Sequence, residues 1–398
     1  MQGGITVVST TDRLLPTVAI FVAVCAGVPA SSKEFLIVGV DSKVEFKREG
    51  IQKVKPGRDL VMIYEIGADP EEPKLVAELP LANSVFGPPT NLAITPDATL
   101  ALVANSVQWE HQGGTWQAVP GTQIHVIDLT LPTPKRIGSV ESDPQPSGIA
   151  ISGNGKWAAI ANRAGKSVTL YSIEAKKIEL EDSVQVDGEA ASVAFSPDGR
   201  TILATKFAQH SVAVIQNDEG QLSYDATLDL PVGRWPYNVQ VANHRVALVA
   251  NNGNAGLPDG HADTVSVIDI SHDPPRVVKH ITVGDGPEGL AVSPDGTLAV
   301  VVLLQGSAPP FERSWFYNEG GSATLLSING KNVFRAGTVA TGRFAEGVGF
   351  NKNGTHCYVA DLLDNRISIF RVERGGLAAT GKSVPLLGHA ASLRTQAP

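Results

Sequence analysis

Gly289-Leu290-Ala291-Val292-Ser293-Pro294-Asp295-Gly296 decides the fold, because the chain repeats it. Relatives stand at Asn91-Leu92-Ala93-Ile94-Thr95-Pro96-Asp97, Gly148-Ile149-Ala150-Ile151-Ser152, Ser192-Val193-Ala194-Phe195-Ser196-Pro197-Asp198-Gly199 and Gly347-Val348-Gly349-Phe350-Asn351-Lys352-Asn353-Gly354. Asn238-Val239-Gln240-Val241 is degenerate but in phase. A second apolar run follows each, at 101–105, 158–162, 202–206, 247–251, 299–303 and 357–361. An alternating third run follows at 124–129, 167–173, 211–215, 264–270, 323–328 and 366–372, and a fourth closes the unit near Val186, Val232, Val283 and Val339. The first runs begin at 91, 148, 192, 238, 289 and 347, so the units are 44 to 58 residues long. Four short strands in that length make a propeller blade. Pro-Asp-Gly and Asn-Gly between the first two runs supply the tight turn.

The ends complete the count. Residues 35–40, 60–66 and 75–79 read as second, third and fourth strands with no first strand before them. Ala391-Ser392-Leu393-Arg394-Thr395 reads as a first strand with nothing after it. Joining the two makes a seventh blade and removes a free sheet edge. The expectation is an all-β, seven-bladed β-propeller whose C-terminal strand closes the ring in the N-terminal blade. A length of 398 residues would otherwise suggest two or three domains. The repeat replaces that with a leader over 1–30 and one propeller domain over 31–398.

Composition agrees. Gly and Pro number 40 and 26, while only 18% of residues are charged, which is punctuation between apolar runs rather than disorder. A net charge of -8 argues against a nucleic-acid partner. Two cysteines exclude a disulfide framework or a Cys-rich metal centre, and Cys357 sits in an apolar run as a small core residue. Residues 14–30, ending in Val28-Pro29-Ala30, look like a secretory signal with cleavage after Ala30. The mature protein is then expected in the periplasm or secreted, monomeric, with no integral membrane segment.

Pro287-Glu288-Gly289-Leu290-Ala291-Val292-Ser293-Pro294-Asp295-Gly296, Val249-Ala250-Asn251 and Val265-Ser266-Val267-Ile268-Asp269 resemble the unit of the YVTN-repeat seven-bladed propellers. That resemblance covers nearly all of the mature chain and implies the fold. For function it implies little, because the family includes lactonase-like enzymes, extracytoplasmic binding proteins and surface proteins.

Loops from fourth to first strand and from second to third strand share one face of a propeller, around its funnel, so function is sought there. Aligning the fourth-to-first loops gives a column reading Thr90, Ser147, Ala191, Tyr237, Glu288, Glu346, Ala391, which sets two carboxylates in neighbouring blades at one register. Another column holds Arg234 and Arg343, with His389 in register. Glu288 or Glu346 would act as base, the arginines as anion or oxyanion partners, and His389, His111 or His261 as auxiliary acid, in hydrolysis or isomerisation of a lactone-like, polar or anionic substrate. The bland alternative is that these charges pair with one another and cap backbone amides.

The long second-to-third loops hold Trp109, Glu110, His111 and Trp116; Asp259, His261 and Asp263; and Phe311, Glu312, Arg313, Trp315, Phe316, Tyr317 and Glu319. With Trp235 and Tyr237, these aromatics are expected to stack over a small molecule, pack on one another, or grip a protein or sugar partner. Loop 41–59, with Lys43, Lys47, Arg48, Lys53, Lys55 and Arg58, is expected to be solvated. No cofactor is required by the sequence. A Ca²⁺ ion in the funnel, held by Asn91, Asn238, Glu288 and Glu346, is an expectation from propeller analogy alone. Gly284-Asp285-Gly286-Pro287-Glu288-Gly289 matches the dinucleotide fingerprint, but it opens a strand and not a helix, so it is rejected. Asn353-Gly354-Thr355 fits the glycosylation pattern but lies in an expected hairpin turn.

Overall fold

Seven four-stranded antiparallel units stand around an axis in the computed structural model, which describes residues 1, 3, 33–83 and 89–396. The expected leader and part of the loop before Asn91 lie outside the described residues. The innermost strands are His389–Thr395 in blade 1, Leu92–Ile94, Pro146–Ile151, Ala190–Phe195, Pro236–Asn243, Pro287–Val292 and Ala345–Phe350 in blades 2 to 7. Blade 1 takes its other three strands from the N-terminal side: Glu34–Asp41, Leu60–Ile66 and Lys74–Leu79. His389–Thr395 pairs with Glu34–Asp41 over the registers Leu36↔Thr395, Val38↔Leu393 and Asp41↔His389, which closes the ring as expected.

The core follows from the period-two patterning. Alternate residues face opposite sides of each sheet, so each blade buries both faces against its neighbours. Seven large apolar clusters result among the described residues, one at each junction of two adjacent blades. The junction of blades 7 and 1 joins Leu36, Val38 and Leu393 to Tyr358, Ile367 and Ile369. Cys357 is fully buried in the junction of blades 6 and 7, where burial pushes its thiol well above its ordinary value. The Ser-Pro-Asp-Gly turns work as expected: Ser293 Oγ donates to Asp295, and Gly199 and Gly296 take φ of 73° and 67°.

Two details depart from the sequence reading. Loop 41–59 is a β-hairpin, Val44–Lys47 with Gly50–Lys53, and it is not simply solvated. Lys43 at its base is buried between Asp41 and Asp59, and Phe46 packs 5.1 Å from Phe344. The fourth strand of blade 4 is split into Gln221–Tyr224 and Leu230–Pro231 by a short 3-10 turn. No helix among the described residues is long and apolar enough to cross a membrane.

Candidate functional site at the funnel mouth

One turn is repeated around the ring. The residue just before the innermost strand adopts a left-handed conformation in four blades: Gln145 (φ 62°), Trp235 (54°), Gly286 (66°) and Phe344 (55°). Its carbonyl accepts the N–H of the residue after the second strand: Arg163 to Gln145 at 2.8 Å, Asn252 to Trp235 at 2.9 Å, Leu304 to Gly286 at 3.0 Å and Leu362 to Phe344 at 3.2 Å. Two columns of side chains are thereby held in fixed layers around the mouth. The lower is the aligned column containing Ser147, Ala191, Tyr237, Glu288 and Glu346. The upper contains Arg163, Phe207, Asn252, Leu304 and Leu362.

Glu288 and Glu346 open the innermost strands of blades 6 and 7 and are 3% and 8% exposed. Each carboxyl titrates well above the ordinary glutamate value. For Glu288 the causes are burial and then the charge of Glu346, while for Glu346 the cause is burial. Two buried carboxyls close enough to repel one another resist ionising together. Their surroundings differ. Asn252 Nδ2 donates to Glu288 Oε1 at 2.7 Å, and the Arg163 guanidinium favours the ionised form of Glu288. These two contacts favour a carboxylate at Glu288, while the charge of Glu346 opposes one. Tyr237, fully enclosed beside them, keeps its phenol proton, because burial and then the charge of Glu288 push its pKa well up.

Arg163 crosses the mouth from blade 3. Its guanidinium lies 4.2 Å over the Phe207 ring, and its Nε donates to Glu189 Oε2 at 3.2 Å. Its side chain is 19% exposed and so meets water while also facing the buried acids. Phe207 packs with Ala191, Tyr237 and Trp235. The sequence reading singled out neither Arg163 nor Asn252. The signal was available: aligned one residue past the second strands, the chain reads Ser42, Ser106, Arg163, Phe207, Asn252, Leu304, Leu362, and the two polar long side chains stand out. Arg163 also sits in one of the short loops, which drew less attention than the long aromatic ones.

The structure places the other expected residues apart from the acid pair. Arg343 Nε donates to Asp364 Oδ1 at 2.7 Å within blade 7. Arg234 lines a separate cleft of about 530 Å³ with Asp259, His261, Asp263 and His280. There Asp263 is pushed up to about 7, chiefly by burial and further by Asp285 and Asp259, against a hydrogen bond from Gly286 N. His389 Nδ1 lies 3.2 Å from Leu362 O, its ring is edge-on to Phe46 at 6.0 Å, and burial lowers its pKa.

The aromatics fall into groups. Trp116 packs 5.0 Å from His111 on the hairpin of Val107–Gln112 and Thr115–Pro120, and Trp109 of that hairpin lies under Lys53 at 5.8 Å. Trp235 packs 4.9 Å from Phe207. Trp315, 79% exposed, contacts Phe316 at 5.6 Å and His261 at 6.5 Å. Arg313 is exposed and Tyr317 half-buried in the same loop.

Of the expected Ca²⁺ ligands, Asn91 and Asn238 turn their amide nitrogens to backbone. Asn91 Nδ2 donates to Ala104 O at 3.1 Å and Asn238 Nδ2 to Leu290 O at 3.4 Å, which braces backbone. Among the described residues, no three His, Cys, Asp or Glu side chains gather as a metal site.

A profile for the family described as "Lactonase, 7-bladed beta-propeller" matches residues 49–234. Among curated proteins none matches the chain. Among solved structures the chain is similar to a "putative 6-phosphogluconolactonase" from Bacteroides fragilis, at TM-score 0.69 and 16% identity over 92% of this chain and 98% of that one. It is similar to the periplasmic gluconolactonase PpgL of Pseudomonas aeruginosa, at 0.65 and 17% over 92% and 99%. It is also similar to Kuenenia stuttgartiensis hydrazine synthase, at 0.58 and 17% over 78% and 90%. At such identities the likeness is one of fold, and that fold serves different chemistries. The resemblance carried by the repeats, to lactonase-like seven-bladed propellers, is borne out.

Proposed function

We propose that this lactonase-family propeller hydrolyses a lactone of a polar or anionic sugar acid at the funnel mouth, with Glu288 as base and Glu346 as acid. The observation that carries the reading is the pair itself: two buried carboxyls in neighbouring blades, held in unlike surroundings. A pair of carboxyls in unlike surroundings is how one site supplies both a base and an acid. Water attacks the carbonyl carbon while Glu288 takes its proton. Arg163 faces the negative charge that develops on the carbonyl oxygen. The ring C–O bond then breaks, and Glu346 gives its proton to the departing ring oxygen, leaving a hydroxy acid. At 3% exposure Glu288 is reached only when side chains at the mouth swing aside.

The test is acid release from a panel of lactones, gluconolactone and its 6-phosphate among them. Turnover above the uncatalysed rate supports the reading, and none with any lactone of the panel overturns it. The leader-like 14–30 stretch supports an exported, periplasmic or secreted protein. A second reading, a non-catalytic binding protein that grips a protein or sugar, is favoured by one observation, the largely bare indole of Trp315.

A further inference from the structure

At the opposite end of the axis the seven innermost strands enclose a cavity of about 540 Å³. One aligned column lines it from every blade: Ala93, Ala150, Ala194, Gln240, Ala291, Gly349 and Arg394. Five of the seven are Ala or Gly, which keeps the space open. The remaining two are the amide of blade 5 and the guanidinium of blade 1, and blade 5 stands on the far side of the ring from blade 1. No Asp or Glu lines the cavity. Among the described residues no acid lies within ion-pair reach of Arg394, and burial without a counter-charge pulls its pKa down to about 10. The cavity lining mixes apolar residues, Ile94, Ile151, Val292 and Phe350, with polar ones, Asn243, His244 and Gln396 among them.

A guanidinium does not shed its proton at neutral pH, and half-buried Arg394 has no acid opposite it. Its fork matches a carboxylate or phosphate with two parallel hydrogen bonds. The cavity lies within the roughly 300–1,000 Å³ range of small-molecule sites.

We infer that the lower channel is an anion site, in which Arg394 seats the carboxylate or phosphate of a small organic ligand and Gln240 faces it across the axis. The site is separate from the Glu288–Glu346 pair and does not rest on the hydrolytic reading. The two sources of the anion are distinguished by titrating the full-length protein with inorganic phosphate, acetate and gluconate by calorimetry. Saturable binding of any one supports the site, and the tightest names the class. Arg394→Gln is expected to weaken that binding by about ten-fold or more, as loss of a charge-assisted pair does. Should that variant misfold, a bromide soak of wild-type crystals gives the same answer, with an anomalous peak expected beside the Arg394 guanidinium. No saturable binding of any probe, equal binding by a folded Arg394→Gln variant, or bromide absent from the channel would overturn it.

Discussion

The side-chain amide of Asn252 donates to Glu288 Oε1 at 2.7 Å, tying the end of one blade's second strand to the start of the next blade's innermost strand. Asn252 Oδ1 is itself fixed by Gly256 N at 2.6 Å, so its Nδ2 has to face the acid. Asn252 is therefore a positioning residue that favours the ionised form of Glu288. Asn252→Ala should raise the pKa of Glu288 and move the acidic limb of the kcat/KM profile upward by about one pH unit, the worth of a hydrogen bond to a charged group. An unmoved limb would show that the bond does not tune the base.

The acid pair also makes stability depend on pH. Both glutamates titrate above their ordinary 4.5 in the folded protein, so the native state holds protons that the unfolded chain has released. Stability should therefore fall as pH rises from about 4.5 up through the raised values. Replacing both by Gln removes this dependence. The Tm of Glu288→Gln/Glu346→Gln should exceed that of the wild type at neutral pH and converge with it in acid. A difference independent of pH would contradict the burial argument.

Asp263 repeats the effect in the side cleft. Its folded value of about 7 against 3.8 places its loss of stability between those two values as pH rises. Asp263→Asn should raise Tm above about pH 7 and leave it unchanged below about pH 4, by scanning calorimetry.

Ring closure rests on the last strand. Leu393 is fully buried at the junction of blades 7 and 1, so Leu393→Ala should cost about 3 kcal/mol in urea unfolding. Leu387→Ala, at a residue 67% exposed, should stay within about 0.5 kcal/mol of wild type. Equal effects would mean that the terminal strand does not hold the ring.

Phe46 docks the hairpin Val44–Lys53 against Phe344 and His389. Phe46→Ala should release it, so that trypsin cuts at Lys47 or Arg48 while the blades stay resistant. Unchanged digestion would show that Phe46 is not needed and that ion pairs such as Arg48–Glu312 at 2.6 Å hold the hairpin.

The ring was legible in the sequence because each blade repeats one alternation and one Ser-Pro-Asp-Gly turn, and local pattern is what period-two burial writes into a chain. Glu288 and Glu346 were legible for the same reason, since repeat symmetry places equal registers side by side. Arg163 was not, because a long side chain reaches beyond its own blade and alignment records only where its backbone sits. Phe207 and Glu189 decide its direction, and both belong to another blade. Arg234 and Arg343 matched by register, yet Asp364 beside Arg343 and the cleft beside Arg234 draw them away from the acids. The hairpin at Val44–Lys53 was hidden by its charges, which mask the single apolar anchor at Phe46.

The most direct measurement is lactone hydrolysis by folded Glu288→Gln, Glu346→Gln and the double variant, on whichever lactone the wild type turns over. Each single change should lower kcat by about 10²–10⁴-fold, and the double should lose little more, since acid and base act as one unit. A folded double variant with wild-type turnover would contradict the account.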